Sequence, residues 1–344
     1  MTRVLAAVGV LILLAAPLLT NNSFYQHLMI MVLFWTLLGA SWNLLGGYGG
    51  QVSFGHATFL GIGAYVTMLS YLSLGLSPWF GMLAGGVIGA LFALPIGLIC
   101  FRLRGPYFSL ATLAVAEIVR LVALNWEQLT AGPMGLLITT LPPISFGGTT
   151  INWESKLPFY YVAVALVLFA MGLTYLVSRS RLGAYLLAVR EDMDCAEAAG
   201  IDTVRTRVVA LVLSAFIVGL AGGFYSLYFR YVDPDAVFAI SLSVEMVFIA
   251  VVGGLATTPG PIVGAVVLVT ISEIFRERFQ AGHLIFYGLF MMVVIRYMPE
   301  GIWGRLLLLL GRHGSPWLCS RSRNCESRGL FSVDENVKRR RRCL

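Results

Sequence analysis

Glu117 and Arg120 stand three residues apart inside an apolar run. Charges at membrane depth are costly and face a cavity or each other. At i, i+3 two side chains share a helix face and can pair. The couple therefore reads either as polar lining of a path through the protein or as a structural ion pair. A second group, Asn43, Gln51, Ser53 and His56, surrounds the break "GGYGGQVSFGH". Glycines there free the backbone, whose polar groups must then be satisfied by protein or water. Broken helices mark binding sites in transporters; close helix packing through glycine is the plainer alternative. Glu245 lies two residues into a short apolar segment, where it could line a cavity mouth. Glu273, with Arg276, Glu277 and Arg278, reads more simply as a charge cluster at a helix end.

None of these groups makes a catalytic set. The chain has no HExxH, no GxSxG and no Ser or Cys with an evident base partner. No two of its four histidines lie at i, i+3 or i, i+4, and its five cysteines form no CxxC, so no metal site is expected. A P-loop needs Gly-Lys-Ser/Thr. The two lysines, Lys156 and Lys338, follow Ser155 and Val337. Any ATP drive must come from a partner, and no cofactor is expected in this chain.

The densest charge lies at 178–207, which holds ten of the forty-one charged residues, five of each sign. Its apolar positions Leu182, Leu186, Val189, Met193, Ala196 and Gly200 recur at steps of 4, 3, 4, 3 and 4, one face of a helix. Arg190, Glu191, Asp192, Asp194 and Glu197 fall elsewhere around it. One amphipathic helix is predicted at the membrane surface. Helices that lie in the lipid interface favour Lys and Arg on the polar face, and this one is acidic in the middle. It could pack on its own bundle, or dock its apolar face into a partner's groove.

The setting for these residues is apolar. Of 344 residues, 58% are hydrophobic and 12% charged, with mean hydropathy +0.83, against about 25% charged in a soluble domain. This is the composition of an all-α integral membrane protein. Runs of spanning length fall at roughly 4–20, 28–45, 57–76, 79–101, 106–126, 158–177, 207–230, 243–256, 260–275 and 282–298. About ten transmembrane helices are predicted, the one at 243–256 being the shortest. The first run has the charge and length of a signal peptide, but Pro17 follows Ala15-Ala16 and many spans come after, so a retained helix is expected. With both ends cytoplasmic, Arg102, Arg104, the 178–207 segment and the basic tail all fall inside, as the positive-inside rule requires. The loop at 127–157 then lies outside.

The net charge of +7 comes from residues 305–344, which carry ten Lys/Arg and three Asp/Glu; the rest of the chain holds fourteen of each sign. No basic domain for nucleic acid is present. The division expected is a multi-span domain over 1–311 and a basic, disordered cytoplasmic tail over 312–344, whose Lys338–Arg342 run could touch anionic lipid. No repeat of 20–50 residues recurs, although "LLGGYGGQVSFGHATFLGIGAY" and "VVGGLATTPGPIVGAVV" are loosely alike.

The stretches "SWNLLGGYGGQVSFGHATFLGIGAY", "GPYFSLATLAVAEIVRLV", "GPMGL", "SRLGAYLLAVREDMDCAEAAGI", "LSAFIVGLAGGFYSL", "EMVFIAVVGGLATTPGPIVGA" and "PEGIWG" occur in order over about 28–304. They resemble the branched-chain amino acid permease subunits of ABC importers, the livM type. In such permeases a cytoplasmic loop carries Glu-Ala-Ala, three residues, then Gly. Here Asp194-Cys195-Ala196 and Gly200 fit that spacing with two substitutions, and the literal Glu197-Ala198-Ala199 is followed at once by Gly200. The resemblance implies that 178–207 is a coupling loop, with Arg190, Met193, Asp194, Ala196, Glu197 and Gly200 at the ATPase contact. It places Asn43, Gln51, His56, Glu117 and Glu245 along the translocation path. It further implies two cytoplasmic ATPases that bind ATP and magnesium, a sister permease, a periplasmic binding protein and a bacterial inner-membrane location. Related permeases move urea or short amides, and a stand-alone secondary transporter is the reading that needs no partner.

Overall fold

The computed structural model describes residues 22–139, 155–279 and 301–309, with Pro17 and isolated stretches within 144–153 and 288–296. The runs at 4–20 and 282–298 and the tail at 312–344 lie largely or wholly outside the described residues. Long helices carry the fold: α1 (Ser23–Asn43), α2 (His56–Leu72), α3 (Pro78–Cys100), α4 (Pro106–Asn125), α6 (Lys156–Arg179), α9 (Thr203–Phe229), α11 (Ile240–Gly253) and α12 (Gly260–Phe279). Between them lie short helices α5 (Glu127–Thr130), α7 (Arg181–Glu191), α8 (Met193–Ala198) and α10 (Pro234–Val237), and α13 (Gly301–Leu309) follows. Among the described residues, six segments are long and apolar enough to cross a membrane: Ser23–Tyr48, Pro78–Cys100, Pro106–Asn125, Lys156–Arg179, Thr203–Phe229 and Pro234–Gly253. The chain is an all-α, multi-pass membrane protein. Of the other predicted spans, 57–76 is the shorter 17-residue α2, and 260–275 is α12, which ends in charge.

Lipid tails are as apolar as leucine, so helices in a bilayer associate through close packing of small residues. At the centre, α2, α3 and α9 meet backbone to backbone. A Cβ on Gly63 would strike Gly219, one on Gly219 would meet Gly85 O at 2.7 Å, and one on Gly85 would meet Gly63 O at 2.7 Å. The far face of α3 and the helix α4 leave Phe80, Leu83, Leu91, Leu98, Tyr107, Leu110 and Ile118 exposed, as surfaces that meet lipid do.

The long helices alternate in direction, so the molecule has two ends. At one, Lys156 donates to Ser23 O (3.0 Å), and strands β1 (Leu136–Leu137) and β4 (Tyr231–Val232) pair antiparallel. A hairpin of β2 (Ile144–Phe146) and β3 (Thr149–Ile151) belongs to the same loop. At the opposite end lie the turn after α3 with Arg102 and Arg104, the helices α7 and α8, and the 254–259 turn.

One predicted element is corrected. The 182–200 stripe is two helices, not one, because the chain breaks at Asp192 (φ −156°, ψ 115°). The Asp192 carboxylate accepts from Asp194 N and Cys195 N, each at 3.0 Å, and so starts α8 as its N-cap.

Candidate functional site: the helix breaks and the segment packed on them

The break after α1 begins as a π turn over Leu44–Tyr48, all of it buried. π turns inside α-helices are rare and recur at functional sites. Asn43, fully buried at its start, reaches across to the second glycine-rich break: its Nδ2 donates to Thr257 O (2.9 Å), and its Oδ1 accepts from Ala256 N (3.0 Å). The two stretches that look loosely alike in sequence are therefore joined in space, by Asn43 and by a side-chain hydrogen bond between Tyr48 and Thr258.

α7 rests on the first break. Leu186 and Arg190, one turn apart, face it. Arg190 Nη1 donates to Gly47 O at 2.7 Å. A Cβ on Gly50 would lie 2.6 Å from Arg190 Cγ, and one on Gly49 would lie 3.4 Å from Leu186 Cδ2. Gly50 also has φ +66°, which glycine adopts without strain.

α8 is held from the other side. Arg104 Nη1 donates to Asp194 Oδ1 at 2.9 Å, and its Nη2 lies 3.6 Å from Glu197 Oε2. Glu197 Oε1 accepts from Thr203 Oγ1 at 2.7 Å. Arg207, wholly buried, donates from Nε to Thr203 O (2.9 Å) and from Nη2 to Phe101 O (3.2 Å), and it stacks on the Phe101 ring. Arg104, Thr203 and Arg207 were not singled out in the sequence. The signal for Arg104 was the sorting that put it on the same side as 178–207. The exposed Arg104–Asp194 pair contributes little alone, ~0–1 kcal/mol.

The stripe expected to enter a partner's groove faces this chain's own bundle. Leu186 and Val189 are buried, Ala196 is 4% exposed, and Leu182 and Met193 are partly buried. Ala196 is therefore unreachable from outside. The exposed face is the opposite one: Tyr185, Glu191, Asp194, Ala198, Ala199 and Gly200. Gly200 ends α8. Its N–H donates to Glu197 O and that of Ile201 to Ala196 O, the paired bonds of a Schellman cap, with Gly200 at φ +84°.

The remaining candidates separate. His56 is fully buried, with Nδ1 3.1 Å from Ser53 Oγ and Nε2 2.9 Å from Ser214 Oγ; Ser214 Oγ in turn donates to Ser41 O. It pins the loop before α2 to α1 and α9. Gln51 is partly exposed beside the break. Glu117 and Arg120 pair on α4, and Arg120 also reaches Asp235 of α10 at 2.5 Å, which ties two elements together. Glu245 is partly buried in α11, and among the described residues no hydrogen bond or ion pair reaches its carboxyl.

The family described as branched-chain amino acid transport system / permease component matches residues 24–295. The high-affinity branched-chain amino acid transport system permease protein LivM of Salmonella typhimurium is 28% identical over 291 residues, 79% of this chain and 68% of that protein. The permease protein LivH of Escherichia coli strain K12 is 23% identical over 289 residues, 79% of this chain and 91% of that protein. Among solved structures, PsaBC from Streptococcus pneumoniae in complex with Fab has a TM-score of 0.42 at 15% identity, covering 84% of this chain and 96% of that one. With its long apolar helices and its two clasped breaks matched along most of the chain, the protein belongs to the family of branched-chain amino acid transport permease components.

Proposed function

We propose that this chain is the transmembrane permease subunit of an ATP-driven importer for branched-chain and other apolar amino acids. The observation that carries the reading is the family match over 24–295. Membership in a transport family, rather than any reactive cluster, decides the class; the chain itself is a non-catalytic translocation subunit. A periplasmic binding protein delivers the substrate, a sister permease completes the pore, and two cytoplasmic ATPases hydrolyse ATP with magnesium. The chain sits in a bacterial inner membrane with about ten spans and both termini inside, which puts the arginine-rich end in the cytoplasm.

The segment α7–α8 is the ATPase coupling segment in this reading, through its outer face. Asp194 and Glu197 serve the fold by holding Arg104, while Ala198, Ala199 and Gly200 offer small, exposed positions to a partner's groove. The translocation path runs past the partly exposed Gln51 and the partly buried Glu245. Glu117 joins it only at its rim, as part of the ion pair with Arg120.

The experiment is a mild-detergent purification of the chain from its native membrane with identification of what accompanies it. An ATPase and a second permease are expected. Ala198→Glu, which places a charge on the exposed face, should lose the ATPase and keep the sister permease. Ala196→Glu cannot serve, because it buries a charge inside the subunit. A chain recovered alone, with leucine uptake intact in ATP-depleted vesicles, would instead establish a stand-alone transporter.

A further inference from the structure

Three observations at the arginine-rich end belong together. The π turn at 44–48 and the 254–259 turn are clasped by Asn43. Arg190 of α7 makes a charge-assisted hydrogen bond to the Gly47 carbonyl inside that π turn. Glycine at 50 leaves the space that the Arg190 stem fills. We infer that the two breaks form a single hinge, and that Arg190 is the positioning residue through which movement of α7 and α8 reaches it.

A π turn differs from an α turn by one residue of hydrogen-bond register, so this stretch has a second arrangement available without unfolding. Its Gly47 carbonyl is held by a side chain from outside the helix. When α7 shifts, the guanidinium pulls on that carbonyl or releases it. Asn43, which bonds to both Ala256 and Thr257, carries the same displacement to the turn between α11 and α12. The Arg190 contact faces inward, so the role differs from docking: Arg190 transmits and does not recruit.

This rests on the importer reading, and the experiment separates the two. The full transporter is reconstituted in proteoliposomes with its sister permease, ATPases and binding protein. Radiolabelled leucine is the probe, and ATP hydrolysed per leucine taken up is measured. Arg190→Met, which keeps the stem and removes the donor, should raise that ratio at least about tenfold, the factor that matches loss of one hydrogen bond to a charged group. Arg190→Lys, which keeps a cationic donor, should restore most of the coupling; a merely space-filling role would leave Met and Lys alike. Gly50→Ala is the second variant, because its methyl displaces the Arg190 stem while leaving the charge. It should raise the ratio too, and combining it with Arg190→Met should add little. An assembled Arg190→Met transporter with the wild-type ratio would overturn the link. Should that variant not assemble, an unchanged ratio in Gly50→Ala would do the same. Wild-type vesicles without ATP-dependent leucine uptake would refute the importer reading itself.

Discussion

Asp192 turns one helix into two. Its carboxylate accepts backbone N–H bonds from Cys195 and Asp194, which hold its pKa below the ordinary aspartate value. The sign follows from linkage: a depressed folded-state pKa stabilises above the unfolded value and is lost as pH falls through the folded one. The first turn of α8 should therefore loosen as the medium is acidified below about pH 4. Hydrogen exchange at the Asp194 and Cys195 amides measures this, and Asp192→Asn, which keeps the acceptor oxygen without the titration, should flatten the response. Persistent pH dependence in that variant would show that another group opens the turn. The break was readable in principle, since aspartate two residues before another acidic residue is a common helix start. It was missed because the apolar stripe continues across it in phase: Leu186, Val189 and Ala196 all point inward despite the bend. The inward direction itself was not readable, because periodicity marks a buried face without saying what buries it.

The elements whose existence the sequence made plain are those set by length and hydropathy, such as α3, α4, α6 and α9. Their packing was not plain, since an apolar helix in lipid has no amphipathic face to reveal its neighbour. Glycine does that work, and only in three dimensions do Gly63, Gly85 and Gly219 prove to be one contact between α2, α3 and α9. A consequence belongs to this scale. Gly219→Leu drives a branched side chain into the Gly85 and Gly86 backbone of α3, where Gly85 O lies 2.7 Å and Gly86 Cα 2.9 Å from the new Cβ. Overpacking of this kind costs about 1–3 kcal/mol, and here neither backbone can yield alone. The detergent-solubilised variant should unfold at clearly lower temperature than the wild type. Gly172→Leu on α6, where no atom lies within 4 Å of the added Cβ, should melt as the wild type does. Equal melting of all three proteins would mean that α2, α3 and α9 are not packed through glycine.

Taken as a whole, the molecule sorts its cations by end. Arg102, Arg104, Arg179, Arg181, Arg190 and Arg205 gather where α3, α6 and α7 meet the start of α9, while Lys156, Arg230, Arg276 and Arg278 lie at the other end. Counting crossings along the sequence predicts opposite sides for the two groups, because it needs only the number of spans between two loops. It could not reveal that the two glycine-rich breaks close on each other at the arginine-rich end, since Asn43 and Thr257 lie 214 residues apart. The positive-inside rule predicts that this end is cytoplasmic, and two exposed positions test it. Cys195 lies exposed on α8, and Met134 is 85% exposed in the opposite loop. In a variant with Cys319, Cys325 and Cys343 changed to serine and Cys100 buried, Cys195 should react with a membrane-impermeant maleimide in inside-out vesicles and stay unlabelled in intact spheroplasts. Met134→Cys, placed in the same background with Cys195→Ser, should show the reverse. The proposed coupling role requires α7 and α8 to face the cytoplasm, so labelling of Cys195 from outside the spheroplast would defeat the topology and the importer reading at once.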